Sequence, residues 1–169
     1  MKINFKELAK RDEPLQLVGD IKMDGIVASR RDILQHSPIH VELEVSQLAG
    51  IVQVDGQLNG ELVISCSRCL EEVKKHIQVP FLETFSQDEQ YADEDDDESN
   101  VIYIPQDEFS LVPYLEAAFL LNIPFVVLCK EDCRGLCPVC GTNRNEADCA
   151  CENERIDPRL ADLQKFFEK

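Results

Sequence analysis

Eight cysteines are the side chains best equipped for chemistry in this chain: Cys66, Cys69, Cys129, Cys133, Cys137, Cys140, Cys149 and Cys151. They come in four pairs, spaced C-x-x-C, C-x-x-x-C, C-x-x-C and C-x-C. Zinc takes four deprotonated sulfurs in a tetrahedron at about 2.3 Å. Two thiolates separated by two residues reach one ion through a tight backbone loop. Cys137-Pro-Val-Cys140-Gly141 is the most specific of the pairs, because Pro138 stiffens the turn and Gly141 lets the backbone bend just after the second sulfur. The six cysteines from 129 to 151 lie within 23 residues and are expected to share a local structure. Cys149-Ala-Cys151 is tight for one ion, so one of its sulfurs is expected to serve another site or none. Cys66-Ser-Arg-Cys69 lies far off and lacks the flanking Pro and Gly. It reads as a zinc pair, a redox pair or a buried pair. All eight are candidate metal ligands for one or two zinc ions, with an iron–sulfur cluster or a thiol switch as rival readings of the distal set.

Catalysis finds little support. A catalytic zinc usually has three protein ligands, often with histidine, and an open fourth position. The three histidines, His36, His40 and His76, are all remote in sequence from the distal cysteines. His40-Val-Glu42 followed by a C-x-x-C resembles the zinc deaminases only faintly, since those enzymes place Pro before the first cysteine of the pair and Leu136 stands here. No Gly-rich phosphate loop, G-x-S-x-G elbow or H-E-x-x-H helix occurs. The expectation is a non-enzyme with no small-molecule substrate.

Charge narrows the partners. The formal net charge is −16, from 17 basic and 33 acidic residues. Each zinc held by four thiolates adds about two further negative charges. Broad coating of RNA, which needs many Lys and Arg on phosphates, is disfavoured. A basic protein surface, or one local RNA contact, remains as the expected partner. The N-terminal MKINFKELAKRDEP has no apolar secretory core and no window reaches eighteen uninterrupted apolar residues, so the expected location is cytoplasmic with no membrane span. A reducing compartment favours metal ligation over disulfides.

The elements that must position the cysteines read as α+β: an antiparallel sheet core, a few helices and a zinc-knuckle C-terminal region. Ile39, Val41, Leu43 and Val45 alternate with His40, Glu42, Glu44 and Ser46, as in a half-buried strand. Val52, Val54 and Leu58 continue the alternation to Asn59-Gly60, which predicts a tight hairpin turn. Leu62 and Ile64 then form the return strand to Cys66, and Ile77, Val79 and Phe81 a further one. Short connections predict antiparallel pairing. The opening KINFKEL is apolar without a clear type, and residues 11–37 are too mixed to assign. Residues 87–99, QDEQYADEDDDES, read as a solvated acidic loop. Val101–Ile104 reads as a short strand. Ser110 predicts a helix N-cap, Phe109 a staple against Tyr114, and Leu111, Leu115, Ala118 and Phe119 one helical face ending before Pro124. Asp157-Pro158 predicts the start of a terminal helix with Leu160, Leu163, Phe166 and Phe167 as its apolar stripe. Three segments follow: 1–86, β-rich with the first C-x-x-C; 87–99, the acidic loop; and 100–169, expected to fold together with 1–86.

In order along the chain stand Cys66-Ser-Arg-Cys69-Leu70-Glu71, the acidic spacer, Leu128-Cys129-x3-Cys133-Arg134-Gly135-Leu136-Cys137-Pro138-x-Cys140-Gly141, Cys149-x-Cys151 and Asp157-Pro158-Arg159. Together they resemble the bacterial YceD/YlbN family, the large ribosomal RNA subunit accumulation proteins, in its cysteine-rich branch. Asn143-Arg-Asn145 departs slightly from the Asn-Leu-Asn of that family. The resemblance implies a non-catalytic role in accumulation or processing of large-subunit ribosomal RNA and ribosome assembly. It also implies a ribosomal or RNA-processing protein as partner, or an RNA contact near Arg134, Arg144, Arg155 and Arg159. A zinc-dependent redox or metal sensor using Cys66 and Cys69 is the alternative.

Overall fold

The computed structural model describes residues 1–23, 25, 30–91 and 101–151. The chain divides into two compact units, one of Met1–Ser65 with Glu72–Phe125, the other of Cys66–Glu71 with the chain from Val126 onward. Among the described residues the first unit is mostly antiparallel sheet with two helices, the α+β class expected.

Its elements are β1 (Lys2–Asn4), α1 (Phe5–Leu8), β2 (Leu15–Ile21), β3 (Ile33–His36), β4 (Ile39–Leu48), β5 (Ile51–Ser65), β6 (Glu72–Ser86), β7 (Val101–Tyr103), β8 (Glu108–Ser110) and α2 (Val112–Asn122). A 3-10 turn, Glu89–Tyr91, follows β6. The main sheet runs β2-β4-β5-β6-β7, and β3 pairs with the far end of β5, so that β3 and β4 share one edge of that long strand. A separate two-stranded sheet joins β1 to β8. The unassigned residues 11–37 thus contain β2 and β3, and KINFKEL is a strand followed by one helical turn capped by the Asn4 side chain.

Two expectations about the sheet change. Asn59-Gly60 is no turn, because β5 runs unbroken through it for 15 residues. The turn lies earlier, at Ala49-Gly50, whose φ angles of 52° and 84° suit a two-residue hairpin of the primed type. Gly60 serves a different need: a Cβ there would sit 2.7 Å from the Phe119 ring of α2. The residue that mimics a turn is therefore an opening in the sheet for an aromatic side chain. Second, β7 pairs with β6 in parallel, because the chain between them is long enough to return to the same end.

The alternation of β4 and β5 survives intact. Ile39, Val41, Leu43 and Val45 are buried with Val52, Val54, Leu58, Leu62 and Ile64. Leu111, Leu115 and Phe119 bury one face of α2, and each such side chain contributes about 1.5–3 kcal/mol. Ala118, expected on that face, is half-buried. Phe109 meets Tyr114 edge-on at 6.4 Å, the staple expected. Ser110 is not the N-cap. It closes β8 opposite Lys2, and Leu111 takes the cap position without a side-chain bond. Ser110 Oγ still accepts the Val112 N–H at 3.3 Å. The helix stops at Asn122, two residues before Pro124. The expected loop from residue 92 to 99 and the terminal helix from Asp157 lie outside the described residues.

Candidate metal centre

The second unit contains all eight cysteines, in two groups of four. Cys66 and Cys69, from the loop between β5 and β6, meet Cys129 and Cys133. Cys137 and Cys140 meet Cys149 and Cys151. Within each group the four sulfurs all lie within 4.8 Å of one another. Cys69 and Cys129 sulfurs are 3.5 Å apart, and those of Cys66 and Cys133 3.8 Å. A zinc–sulfur tetrahedron has edges of about 3.8 Å, whereas a disulfide brings the sulfurs to about 2.05 Å. The spacing therefore fits a shared cation.

Both C-x-x-C loops are built alike. Cys66 N–H donates to the Glu71 carbonyl at 2.7 Å, and Cys137 N–H to the Thr142 carbonyl at 2.8 Å. Leu70 N–H returns to the Cys66 carbonyl at 3.0 Å, and Gly141 N–H to the Cys137 carbonyl at 2.8 Å. Leu70 and Gly141 both hold a left-handed backbone, with φ of 64° and 75°. The turn thus needs that conformation after its second sulfur. Glycine supplies it freely; a leucine takes it at about 1–2 kcal/mol. The proximal pair, which lacks the Pro and Gly signals, forms the same knuckle.

Backbone donors prepare the sulfurs for negative charge. Burial pushes the Cys66 thiol up, but the N–H groups of Arg68, Cys69 and Cys129 outweigh it and hold the thiol at about 6. Cys133 is likewise lowered against its burial, by the Asn145 amide and the Gly135 N–H. Burial raises Cys69 to about 11 and drives Cys129 higher, with the neighbouring thiols adding to Cys129. In the second group, the N–H groups of Cys140 and Val139 lower Cys137, and the Thr142 hydroxyl lowers Cys140 to about 6. The Cys151 N–H works to lower Cys149, but nearby Cys137 and burial raise it overall, and the Cys140 sulfur with burial takes Cys151 to about 12. Each group thus has two thiols poised to ionise and two held back. Four sulfurs this close cannot all ionise unaided, and a dication at the centre would allow it.

Several residues that support the sulfurs are invisible as ligand motifs. Asn145 Nδ2 donates to Cys133 Sγ at 3.4 Å, and its Oδ1 accepts the Arg134 N–H at 2.8 Å. Asn143 Nδ2 reaches Glu71 Oε1 at 3.3 Å. Arg68 Nη1 donates to the Cys133 carbonyl at 2.8 Å. Leu136 N–H donates to the Arg68 carbonyl at 3.0 Å, packing the two loops edge to edge. The asparagines were legible only as a family-like Asn-x-Asn.

The distal six share the second unit but divide between the two groups, because Cys129 and Cys133 turn to the proximal pair. Cys149 and Cys151 both enter one group, because the extended Cys-Ala-Cys spacing still brings both sulfurs to the same point. The proximal pair is neither remote nor isolated. Of the four arginines expected here, Arg134 pairs with Asp148 at 2.7 Å, Arg144 is half-buried, and Arg155 and Arg159 lie outside the described residues. His40 stays exposed on β4, bonded to Asp20, in the bland role its alternation predicts. Among the described residues, no helix is long and apolar enough to cross a membrane.

A family model described as large ribosomal RNA subunit accumulation protein YceD matches residues 54–167. An uncharacterised protein of Mycobacterium tuberculosis is 32% identical over 133 residues, which are 79% of this chain and 64% of that protein. YlbN of Bacillus subtilis, also uncharacterised, is 26% identical over 151 residues, covering 88% of this chain and 86% of its own length. A protein of Arabidopsis thaliana named large ribosomal RNA subunit accumulation protein YCED homolog 1, chloroplastic, is 23% identical over 165 residues, covering 82% of this chain and 51% of its own. The chain therefore spans about 64% of the length of the mycobacterial relatives. No solved structure matches it.

Proposed function

Because this chain belongs to the YceD family of large ribosomal RNA subunit accumulation proteins, we propose that it is a cytoplasmic, non-enzymatic zinc protein supporting large-subunit ribosomal RNA accumulation and ribosome assembly. The observation that carries the zinc reading is the pair of four-sulfur groups, each with its sulfurs within 4.8 Å of one another and the first with 3.5 and 3.8 Å contacts that match tetrahedral edges. All eight cysteines, Cys66, Cys69, Cys129 and Cys133 in one group and Cys137, Cys140, Cys149 and Cys151 in the other, are assigned as ligands of two ions. A site with four protein ligands leaves no open position for substrate or water, which fits a structural clamp. The name of the Arabidopsis relative supports the ribosomal RNA role. The net charge of −16 fits a basic ribosomal or RNA-processing protein as the main partner, with RNA touched only locally.

The test is a deletion strain complemented with wild-type protein or with Cys66→Ser/Cys140→Ser. Loss of large-subunit RNA and of the large-subunit peak on sedimentation, restored by wild type alone, is the expected result. Normal precursor and subunit profiles in the deletion under every growth condition would remove the ribosomal reading. The rival reading, a thiol sensor on Cys66 and Cys69, has both residues buried, at 0% and 5% exposure, poorly placed to meet an oxidant.

A further inference from the structure

A groove of about 490 Å³ opens where β3, β5 and β6 run side by side, and Gln35, His36, Glu61, Lys74, Lys75 and His76 are among its lining residues. In a chain of net charge −16, Lys74-Lys75-His76 is the one run of three consecutive basic-type residues, and two of the three histidines line this groove. The register arranges them in rows. His36 and Lys75 flank Leu62 from opposite sides, and Gln35 and Lys74 flank Val63. Strand alternation sends Lys74 and Lys75 to opposite faces. β7 joins β6 only from Thr84 onward, so among the described residues the stretch at Lys74–His76 is a sheet edge with no partner strand beyond it. A chain passing over that edge meets cations on both faces.

These charges are also unspent. Lys2, Lys6, Arg30 and Arg134 each pair with a carboxylate, whereas Lys74 and Lys75 have no ion pair among the described residues. Glu61, opposite His76, is the single carboxylate among the groove's lining residues. Lysine on an open edge also deters strand addition. That role requires neither a groove nor histidines beside it. The opposite end of the sheet is acidic, with Glu44 and Asp55 side by side on β4 and β5.

We propose that this groove binds the sugar–phosphate backbone of single-stranded RNA. The assignment rests on the ribosomal RNA role proposed above and puts the RNA contact on residues of the first unit rather than on the cysteines or the arginines beside them. Lysine and histidine donors suit phosphate oxygens, and the Gln35 amide suits a ribose hydroxyl. No Phe, Tyr or Trp is among the groove's lining residues to stack bases strongly, so binding is indifferent to sequence. A protein partner would need a well-exposed apolar anchor, whereas of the two apolar lining residues Leu62 is buried and Val63 half-buried. The acidic end of the sheet keeps the contact local and the affinity modest.

The test uses the zinc-loaded full chain and a fluorescein-labelled oligouridylate of about 12 nucleotides, followed by anisotropy at low salt. Wild type is expected to bind. Lys74→Ala/Lys75→Ala should weaken binding at least about tenfold and flatten the log affinity against log salt slope by about 1.4, at about 0.7 per lost contact. Lys74→Arg/Lys75→Arg should retain affinity, and Lys2→Ala/Lys6→Ala, with the same charge change elsewhere, should leave it unchanged. No binding by wild type, equal weakening by the two alanine pairs, or capture of polyglutamate in place of RNA would overturn the proposal. If the deletion strain has normal ribosomal RNA while oligouridylate binding still depends on Lys74 and Lys75, the ribosomal reading falls and the groove stands. Failure of wild type to bind, beside a deletion strain short of large-subunit RNA, is the reverse case.

Discussion

The two cysteine groups use the same knuckle and differ in what they connect. The first joins residues as far apart as Cys66 and Cys133, 67 positions along the chain, and three of its four sulfurs are buried. The second closes within Cys137–Cys151, and only Cys137 is buried. Closing a long loop removes more freedom from the unfolded chain than closing a short one. Buried sulfurs left without a cation also lose more than exposed ones. Equal chemistry should therefore give unequal stabilisation, with the first group as the clamp and the second as a local fold.

Cys66→Ser should have the largest effect. It removes a buried proposed ligand that three backbone N–H groups address, and it should cost one zinc and more than about 4 kcal/mol, read by metal content and thermal unfolding. Cys140→Ser, at an exposed ligand, should also release one zinc but cost about 1–2 kcal/mol. Equal destabilisation by the two would break the comparison. Asn145→Ala tests whether the groups are independent, because Asn145 lies in the loop of the second group and donates to Cys133 of the first. A cost of about 1 kcal/mol, with faster zinc loss to a chelator from the first group, is expected. Unchanged release would mean that the two sites act alone.

The smallest effects concern the residue after each C-x-x-C. Gly141→Ala should destabilise by about 1 kcal/mol through backbone strain alone, since a Cβ there meets nothing within 4 Å. Leu70→Gly should be neutral or stabilising by under about 1 kcal/mol, because Leu70 is 64% exposed and already holds the strained φ. Both are read as shifts in the midpoint of thermal unfolding of the zinc-loaded chain. Opposite signs for the two substitutions are the signature of a shared knuckle.

Much of this was legible in the sequence, and the misses have physical causes. The alternation of β4 and β5 marked the sheet because one face is buried, and the C-P-V-C-G segment marked a knuckle because it shows both turn residues. Cys66–Cys69 hid its knuckle because Leu70 adopts by constraint what Gly141 adopts by nature. Asn59-Gly60 misled because glycine also appears where a neighbour crowds the backbone, here Phe119. The partition of the cysteines was unreadable, since spacing says which sulfurs can share an ion and only tertiary folding brings residue 66 to residue 133. The supporting asparagines showed only as a family-like Asn-x-Asn with no role attached, as a side-chain amide in a loop has many uses.

Metal content tests the central claim most directly. Native mass spectrometry of the reduced full chain, with elemental analysis of the same sample, should find two zinc ions per chain and all eight cysteines protected from alkylation until a chelator is added. One zinc or none, with Cys66, Cys69, Cys129 and Cys133 alkylated at once, would contradict it.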